Sequence, residues 1–317
     1  MIGEDDIISI GRSTFRLVGG ELRQFVDDGE INFSAQNLVV KVAGGKVLLD
    51  GITFALPELS MMAIIGPAGT GKTTLLNALA GKRPADQGRV LYENQDLYKN
   101  YDALKDRIGH VPQESLPVIM GGIRPRGLVR RTASLVQRFD RFTPKTALQY
   151  VAEARLPTAT ESEQSQRVDE VLAELSIARH ANTKLDLLSV WQQKRVAIGL
   201  ELVTRPSLLF LDEPTAQLDA STTRELFRLM REMATGGGQS VVLTTHDVES
   251  KLLHLGDRIL VLAPGGRMAY FGPPGEGLRY FGVVDWADAF QALTNYPDRD
   301  WAAEYAASPA YAQYAMK

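Results

Sequence analysis

"GPAGTGKTT", residues 66–74, follows the apolar run "SMMAII" and opens the helical pattern "TTLLNALAG". A buried strand, a glycine-rich turn and a helix start, in that order, are what a phosphate-binding loop requires. Glycines let backbone N–H groups face the phosphates, and the helix N-terminus adds its partial positive charge. Gly66, Pro67, Ala68, Gly69, Thr70 and Gly71 would form the cradle. Lys72 would reach the outer phosphates, Thr73 would ligate Mg²⁺, and Thr74 would contact the α-phosphate. The bland alternative is a glycine-rich turn with a stray lysine, and the flanking strand and helix argue against it. The pattern predicts nucleotide binding.

Outward from the loop, the run "SLLFLDE" (207–213) reads as a second buried strand ending in Asp212 and Glu213. Ligands of open α/β sheets bind at the carboxyl ends of the strands. Asp212 suits Mg²⁺ through water, and Glu213 suits a general base that polarises an attacking water. A strand-end acidic pair often does no more than begin a solvated turn, but beside a phosphate loop the chemical reading is stronger. His246 ends the apolar strand of "SVVLTTHD" (240–247), within reach of a γ-phosphate. Gln113, in "IGHVPQES", follows a short apolar strand and is a candidate sensor of Mg²⁺ or water. His110, His180 and His254 belong to no constellation and read as structural.

The 317 residues suffice for one large α/β domain or two smaller ones, and a formal charge of −3 gives no nucleic-acid signal. With no cysteine there is no disulfide framework and no thiolate metal site. No apolar run is long enough to cross a bilayer and no signal peptide is evident, so a membrane role is expected to come through a partner or further sequence. Residues 7–36 read as short strands with turns. From about residue 38 strands alternate with helices, the pattern of a helix-covered sheet, with a mostly helical block at about 144–204. Within a C-terminal extension at 283–317, the Ala- and Tyr-rich stretch "DWAAEYAASPAYAQYAMK" (300–317) reads as a helix or linker.

The stretch "LSVWQQKRVAIGLEL" (188–202) begins a helix in which Ser189 and Gln192 stand in capping-box spacing. Val190 and Trp191 fill a first turn of the kind that often meets an anion, so Trp191 is either a core anchor or an obstacle at a ligand's place.

These pieces, in this order, resemble the nucleotide-binding domain of ATP-binding cassette (ABC) transporters over roughly residues 31–282. The resemblance implies a RecA-like core with an antiparallel β subdomain and a helical subdomain, binding ATP and Mg²⁺. It implies Walker A at 66–74, a Q-loop at Gln113, a signature at 188–192, Walker B in "LLFLDEPT", a D-loop in "AQLD" and a switch histidine at His246. Thr73, Gln113 and Asp212 would then serve Mg²⁺, with Glu213, His246 and Gln113 catalytic. Ser189, Val190, Trp191, Gln192 and Asp219 would contact nucleotide or partner across a head-to-tail homodimer. "KRVAIGLELVTRPSLLFLDEPT" and "YFGPPGEGLRYFG" with "DWADAF" are similar to the G-type (White) subfamily, half-transporters with the ATPase domain ahead of the membrane domain. That implies an exporter half-transporter at the cytoplasmic face of the membrane, with residues 283–317 leading to a transmembrane domain. The strands of residues 1–30 resemble the end of a forkhead-associated (FHA) domain, as in FHA-fused exporters of mycobacteria and other actinobacteria. A phosphothreonine-protein or Ser/Thr-kinase link would follow.

The chain departs from the family pattern at three places. Leu188-Ser189-Val190-Trp191-Gln192 stands where relatives carry Leu-Ser-Gly-Gly-Gln, and an indole at the second glycine is expected to crowd the opposite γ-phosphate. The adenine-stacking aromatic aligns near Val40. Residues 120–141 carry six arginines and one acid, Asp140; this is either a solvated loop or a contact with anionic lipid or the membrane domain, with Thr132 and Ser134 in a basophilic-kinase pattern. The rival readings are a regulatory module that binds ATP but hardly hydrolyses it, and a soluble ABC ATPase of translation or repair, which usually needs two cassettes.

Overall fold

The computed structural model describes residues 7–10, 13–18, 21–24, 31–42, 44–113, 116, 142–296 and 298–315. The basic stretch 120–141, with Thr132 and Ser134, lies outside them.

The apolar runs that read as buried strands pair side by side. β6 (Met61–Ile65), β9 (Ile108–Val111), β10 (Leu208–Leu211), β11 (Ser240–Thr244), β12 (Arg258–Ala263) and β13 (Arg267–Gly272) form one sheet in the order β13-β12-β6-β11-β10-β9. Five of these strands run parallel, and only β13 turns back, antiparallel to β12. Strands covered on both faces need no polar alternation, which is why β6 and β10 are apolar throughout. α1 (Lys72–Leu79) leaves β6 through the glycine-rich turn and buries Leu75, Leu76 and Leu79. Side chains of this size each contribute about 1.5–3 kcal/mol when fully buried.

A second, antiparallel sheet, β5-β4-β7-β8, comprises β4 (Ile31–Lys41), β5 (Val47–Pro57), β7 (Gln87–Tyr92) and β8 (Gln95–Asp96). "INFSAQ", grouped by its sequence with the N-terminal strands, is the first half of β4 and pairs with β5 and β7. The carbonyl of Leu48 in β5 lies against two glycines of the first sheet's loops. A Cβ on Gly71 (φ 94°) would stand 3.0 Å from that oxygen, and one on Gly266 (φ 71°) would overlap it outright. Gly266 also accepts from the N–H of Asp50 at 3.1 Å. β1 (Ile7–Ile10), β2 (Ser13–Val18) and β3 (Glu21–Gln24) form a separate antiparallel sheet of neighbouring hairpins.

The helical block holds α2 (Pro144–Arg155), α3 (Glu161–Glu174) and α4 (Val190–Leu202). Each starts on a reciprocal capping box, Thr143 with Thr146, Thr160 with Glu163 and Ser189 with Gln192. α5 (Ala220–Gly236) is capped by Asp219 and turns Leu226, Phe227, Met230, Met233 and Ala234 inward, a helical stripe.

The tail, expected as a helix or linker, is helical and packed over its described residues. After α6 (Pro274–Phe281), α7 (Trp286–Asn295) and α8 (Trp301–Ala306) bury Trp286, Trp301 and Tyr305, and the Tyr305 hydroxyl donates to Phe271 O of β13 at 2.7 Å. Its aromatics fill a cluster with Tyr270, Tyr280 and Phe281, so its Ala-rich composition conceals core positions. Among the described residues no helix is long and apolar enough to cross a membrane.

Candidate active site

β6, β10 and β11 are neighbours, so the three loops leaving their carboxyl ends converge. Lys72, the first residue of α1, is 5% exposed. Its ammonium is 2.9 Å from Gly66 O and 3.2 Å from Pro67 O, and 3.4 Å from His246 Nδ1. Burial lowers the Lys72 pKa, while the charges of Glu213 and Asp212 pull it back up. Gly69 (φ 78°) and Gly71 are left-handed, a conformation glycine adopts freely. Thr70 Oγ1 donates to Pro67 O at 2.9 Å and closes the loop. The N-cap of α1, Gly71, has no side chain to accept from the first-turn N–H groups, which leaves them to an anion.

The carboxylate pair lies opposite. Asp212 Oδ1 accepts from Thr73 Oγ1 at 3.1 Å and from Thr244 Oγ1 at 2.6 Å. Glu213 turns off the strand with φ 45°, and its backbone N–H donates to Thr244 Oγ1 at 2.8 Å. Its carboxylate meets His246 Nε2 at 2.6 Å and accepts from Gln113 Nε2 at 3.2 Å. A lysine ammonium only donates, so His246 Nδ1 is the acceptor and Nε2 carries the proton given to Glu213. Lys72, Asp212, Glu213, His246 and Gln113 are thus joined in one network.

The donor set fits a nucleoside triphosphate with Mg²⁺. Backbone N–H groups and Lys72 would hold the phosphates, and Thr73 with Asp212 offers hard oxygens for the cation. Val40, the position aligned with a base-stacking aromatic, is 0% exposed and offers no ring or open surface to a base.

The signature segment lies on α4. Ser189 Oγ accepts from Gln192 N at 3.2 Å, and Gln192 Oε1 accepts from Ser189 N at 2.9 Å. The other end of the Gln192 amide meets His180 Nε2 at 2.9 Å. Trp191 is 9% exposed, with its indole N–H donating to Glu225 Oε2 of α5 at 3.1 Å and the Arg195 guanidinium 4.3 Å from its ring centre. Val190, 43% exposed, is the side chain of this turn that faces outward. Asp219 caps α5, accepting from the N–H groups of Ser221 and Thr222 at 2.8 and 3.1 Å. These hydrogen bonds, that of Thr222 first, hold its carboxyl below the usual aspartate range.

Sequence reasoning passed over two residues here. Thr244 carries no motif letter of its own, although it stands two places before His246. Lys194 on α4 has its pKa lowered by burial and raised by the charge of Glu213, a proximity between distant segments that no local pattern announces.

The family model described as ABC transporter matches residues 49–216, more than half of the chain. The chain belongs to the ABC transporter family. A second model, an AAA domain described as a putative AbiEii toxin of a type IV toxin–antitoxin system, matches the shorter stretch 193–250, which overlaps the first match. An ABC transporter ATP-binding/permease protein of Mycobacterium tuberculosis is 34% identical over 303 residues, 94% of this chain and 32% of that protein. ABC transporter G family member 22 of Arabidopsis thaliana is 34% identical over 247 residues, 75% of this chain and 29% of that protein. The chain thus spans about a third of the length of these two relatives. Among solved structures, cbiO1 from Clostridium perfringens, described as part of the ABC transporter complex cbiONQ, matches with a TM-score of 0.65 and 28% identity, over 78% of this chain and 91% of that one. The ATP-binding cassette MJ0796, described as a post-hydrolysis dimer bound to ADP and Pi, has a TM-score of 0.60, covers 76% of this chain and 98% of that one, and at 23% identity shares the fold. This ABC chain is an ATPase domain of the transporter type.

Proposed function

We propose that this domain binds and hydrolyses ATP to drive export by a G-type half-transporter. The observation that carries the reading is the closed network from Lys72 through His246 to Glu213 and Gln113, set across the phosphate loop from Asp212. Lys72 and the first-turn N–H groups of α1 would hold the phosphates, and Lys72 and His246 would stabilise charge developing at the γ-phosphate. Thr73, with Asp212 and Gln113 acting through water, would hold Mg²⁺, which would supply neutralisation of phosphate charge. Glu213 would exchange its bond with His246 for a water and accept its proton.

Two copies would close head-to-tail, with Ser189 and the turn around Val190 and Trp191 facing the partner's phosphates and Asp219 reaching across. A transmembrane domain, C-terminal in the same full-length protein, would place the ATPase at the cytoplasmic face. A transmembrane domain in the same chain is supported by the ATP-binding/permease name of the mycobacterial relative, and the G-type assignment by the G-family name of the plant one. The N-terminal strand pairs are compatible with the end of an FHA-like domain, which would tie transport to phosphothreonine signals.

A second reading, an ATP-binding regulatory module with little turnover, is favoured by one observation. Val190 places an exposed side chain on the turn where the resemblance expects glycine, while Ser189 Oγ accepts the cap bond from Gln192 N and keeps its own proton to donate. Steady-state ATPase activity of the full-length protein in lipid, beside Glu213→Gln, decides between the two. Activity at the Glu213→Gln level would leave the regulatory reading standing.

A further inference from the structure

At the carboxyl end of β11 one buried hydroxyl faces two ways. Thr244 Oγ1 donates to Asp212 Oδ1 at 2.6 Å and accepts from the Glu213 N–H at 2.8 Å. A hydroxyl is a small group able to do both at once; an isosteric valine can do neither. Glu213 needs such a hold, because its φ of 45° lies in the left-handed region that a long side chain keeps only where its surroundings fix it. This turn takes the chain off the axis of β10 immediately after Asp212 and sets the Glu213 carboxylate against His246 and Gln113.

We propose that Thr244 is a positioning residue for ATP hydrolysis, its hydroxyl setting the Asp212 and Glu213 carboxylates in fixed relation to each other. The proposal rests on the reading of Glu213 as the base. Thr244, fully buried, acts through its neighbours. Asp212 Oδ1 also accepts from Thr73, so one oxygen ties β11 to the phosphate loop and to the carboxylate turn. The next residue reinforces the arrangement. Thr245 Oγ1 lies 3.2 Å from Thr215 Oγ1 and accepts from the Asp247 N–H at 2.9 Å, pinning the chain on either side of His246 to the turn that follows Glu213.

The test compares wild type, Thr244→Val, Thr244→Ser and Glu213→Gln in the full-length protein, measuring kcat and KM for ATP. Loss of a hydrogen-bonding partner behind a metal-site carboxylate typically costs about 10–100-fold in activity. Thr244→Val is expected to lower kcat by about that factor with KM unchanged, and Thr244→Ser to restore most of it, since it returns the hydroxyl and not the methyl. Wild-type turnover in Thr244→Val, or an equal loss in the Ser and Val variants, overturns the proposal. If Thr244→Val does not fold, Thr244→Ala against Thr244→Ser reads the same hydroxyl. Failure of the underlying reading looks different: Glu213→Gln would then turn over like wild type, whatever Thr244 does.

Discussion

Trp191 and Glu225 join two helices that the sequence keeps far apart. The indole N–H of Trp191, in the first turn of α4, donates 3.1 Å to the Glu225 carboxylate on α5, the helix that Asp219 caps. Arg195 completes the contact, lying over the indole and reaching the same Glu225 oxygen at 3.4 Å. The indole is therefore an anchor between the helical block and the core. The outward bulk of the turn belongs to Val190.

Single substitutions should separate those two roles. Trp191→Gly is expected to destabilise the domain by about 3–5 kcal/mol, as large aromatic truncations do, with little gain in dimerisation. Val190→Gly should cost only a few tenths of a kcal/mol in helix propensity while raising ATP-dependent dimerisation and turnover. Melting temperature, light scattering and ATPase rate on the two variants check this. Enhanced dimerisation in Trp191→Gly alone would show that the indole is the obstacle.

Lys72 holds its proton less firmly in the fold than in the unfolded chain, because burial disfavours the ammonium. The folded state is therefore penalised for this charge at neutral pH, and the penalty is relieved as pH rises from the lowered value towards 10.5, where the unfolded lysine also loses its proton. Lys72→Met should melt at or above the wild-type temperature without nucleotide, yet gain nothing from added ATP. Glu213→Gln should retain the ATP-dependent rise in melting temperature and lose hydrolysis. A Lys72→Met protein that still binds ATP would remove Lys72 from the phosphate site.

Asp219 has a local task besides any reach across a dimer. Its folded pKa is depressed, so its contribution is present above the ordinary value of 3.8 and is lost as pH falls through the folded one. Asp219→Asn should keep the cap and the neutral-pH melting temperature, whereas Asp219→Ala should lower it. Melting curves from pH 7 to pH 3 give the comparison, with the Asn variant showing the weaker acid loss.

The aromatic cluster of the tail sets an alkaline limit. Burial raises the pKa of Tyr270 and Tyr305 and pushes Tyr280 up to about 12. Groups raised in the folded state contribute stability that is full below the unfolded value of 10 and is lost as pH climbs through the folded values. Absorbance of tyrosinate should lag behind that of free tyrosine and then rise together with unfolding. Tyr305→Phe should cost about 1 kcal/mol at neutral pH, since it leaves Phe271 O without its donor.

The strands of the main sheet were legible because each is a short apolar run ending in a chemically distinctive residue: Ile65 before Gly66, Leu211 before Asp212, Thr244 near His246. The contacts within the site were less so. Trp191 and Glu225 stand 34 positions apart, and nothing in either segment names the other. Val40, which the resemblance aligns with a base-stacking aromatic, is buried together with Leu38 and Val39 and offers nothing for a base to stack on. The tail's helices were legible as one of two readings, but its many alanines hide the spacing of the buried Trp286, Trp301 and Tyr305.

The Leu48 carbonyl, wedged between Gly71 of the phosphate loop and Gly266 of the β12–β13 turn, makes one peptide a spacer shared by two distant parts of the chain. A side chain added at Gly266, nearly two hundred residues downstream of Gly71, would shove that peptide and so reshape the phosphate cradle without touching it. Damage in an outlying hairpin would then register in solution as weakened nucleotide affinity, with every residue of the loop still in place.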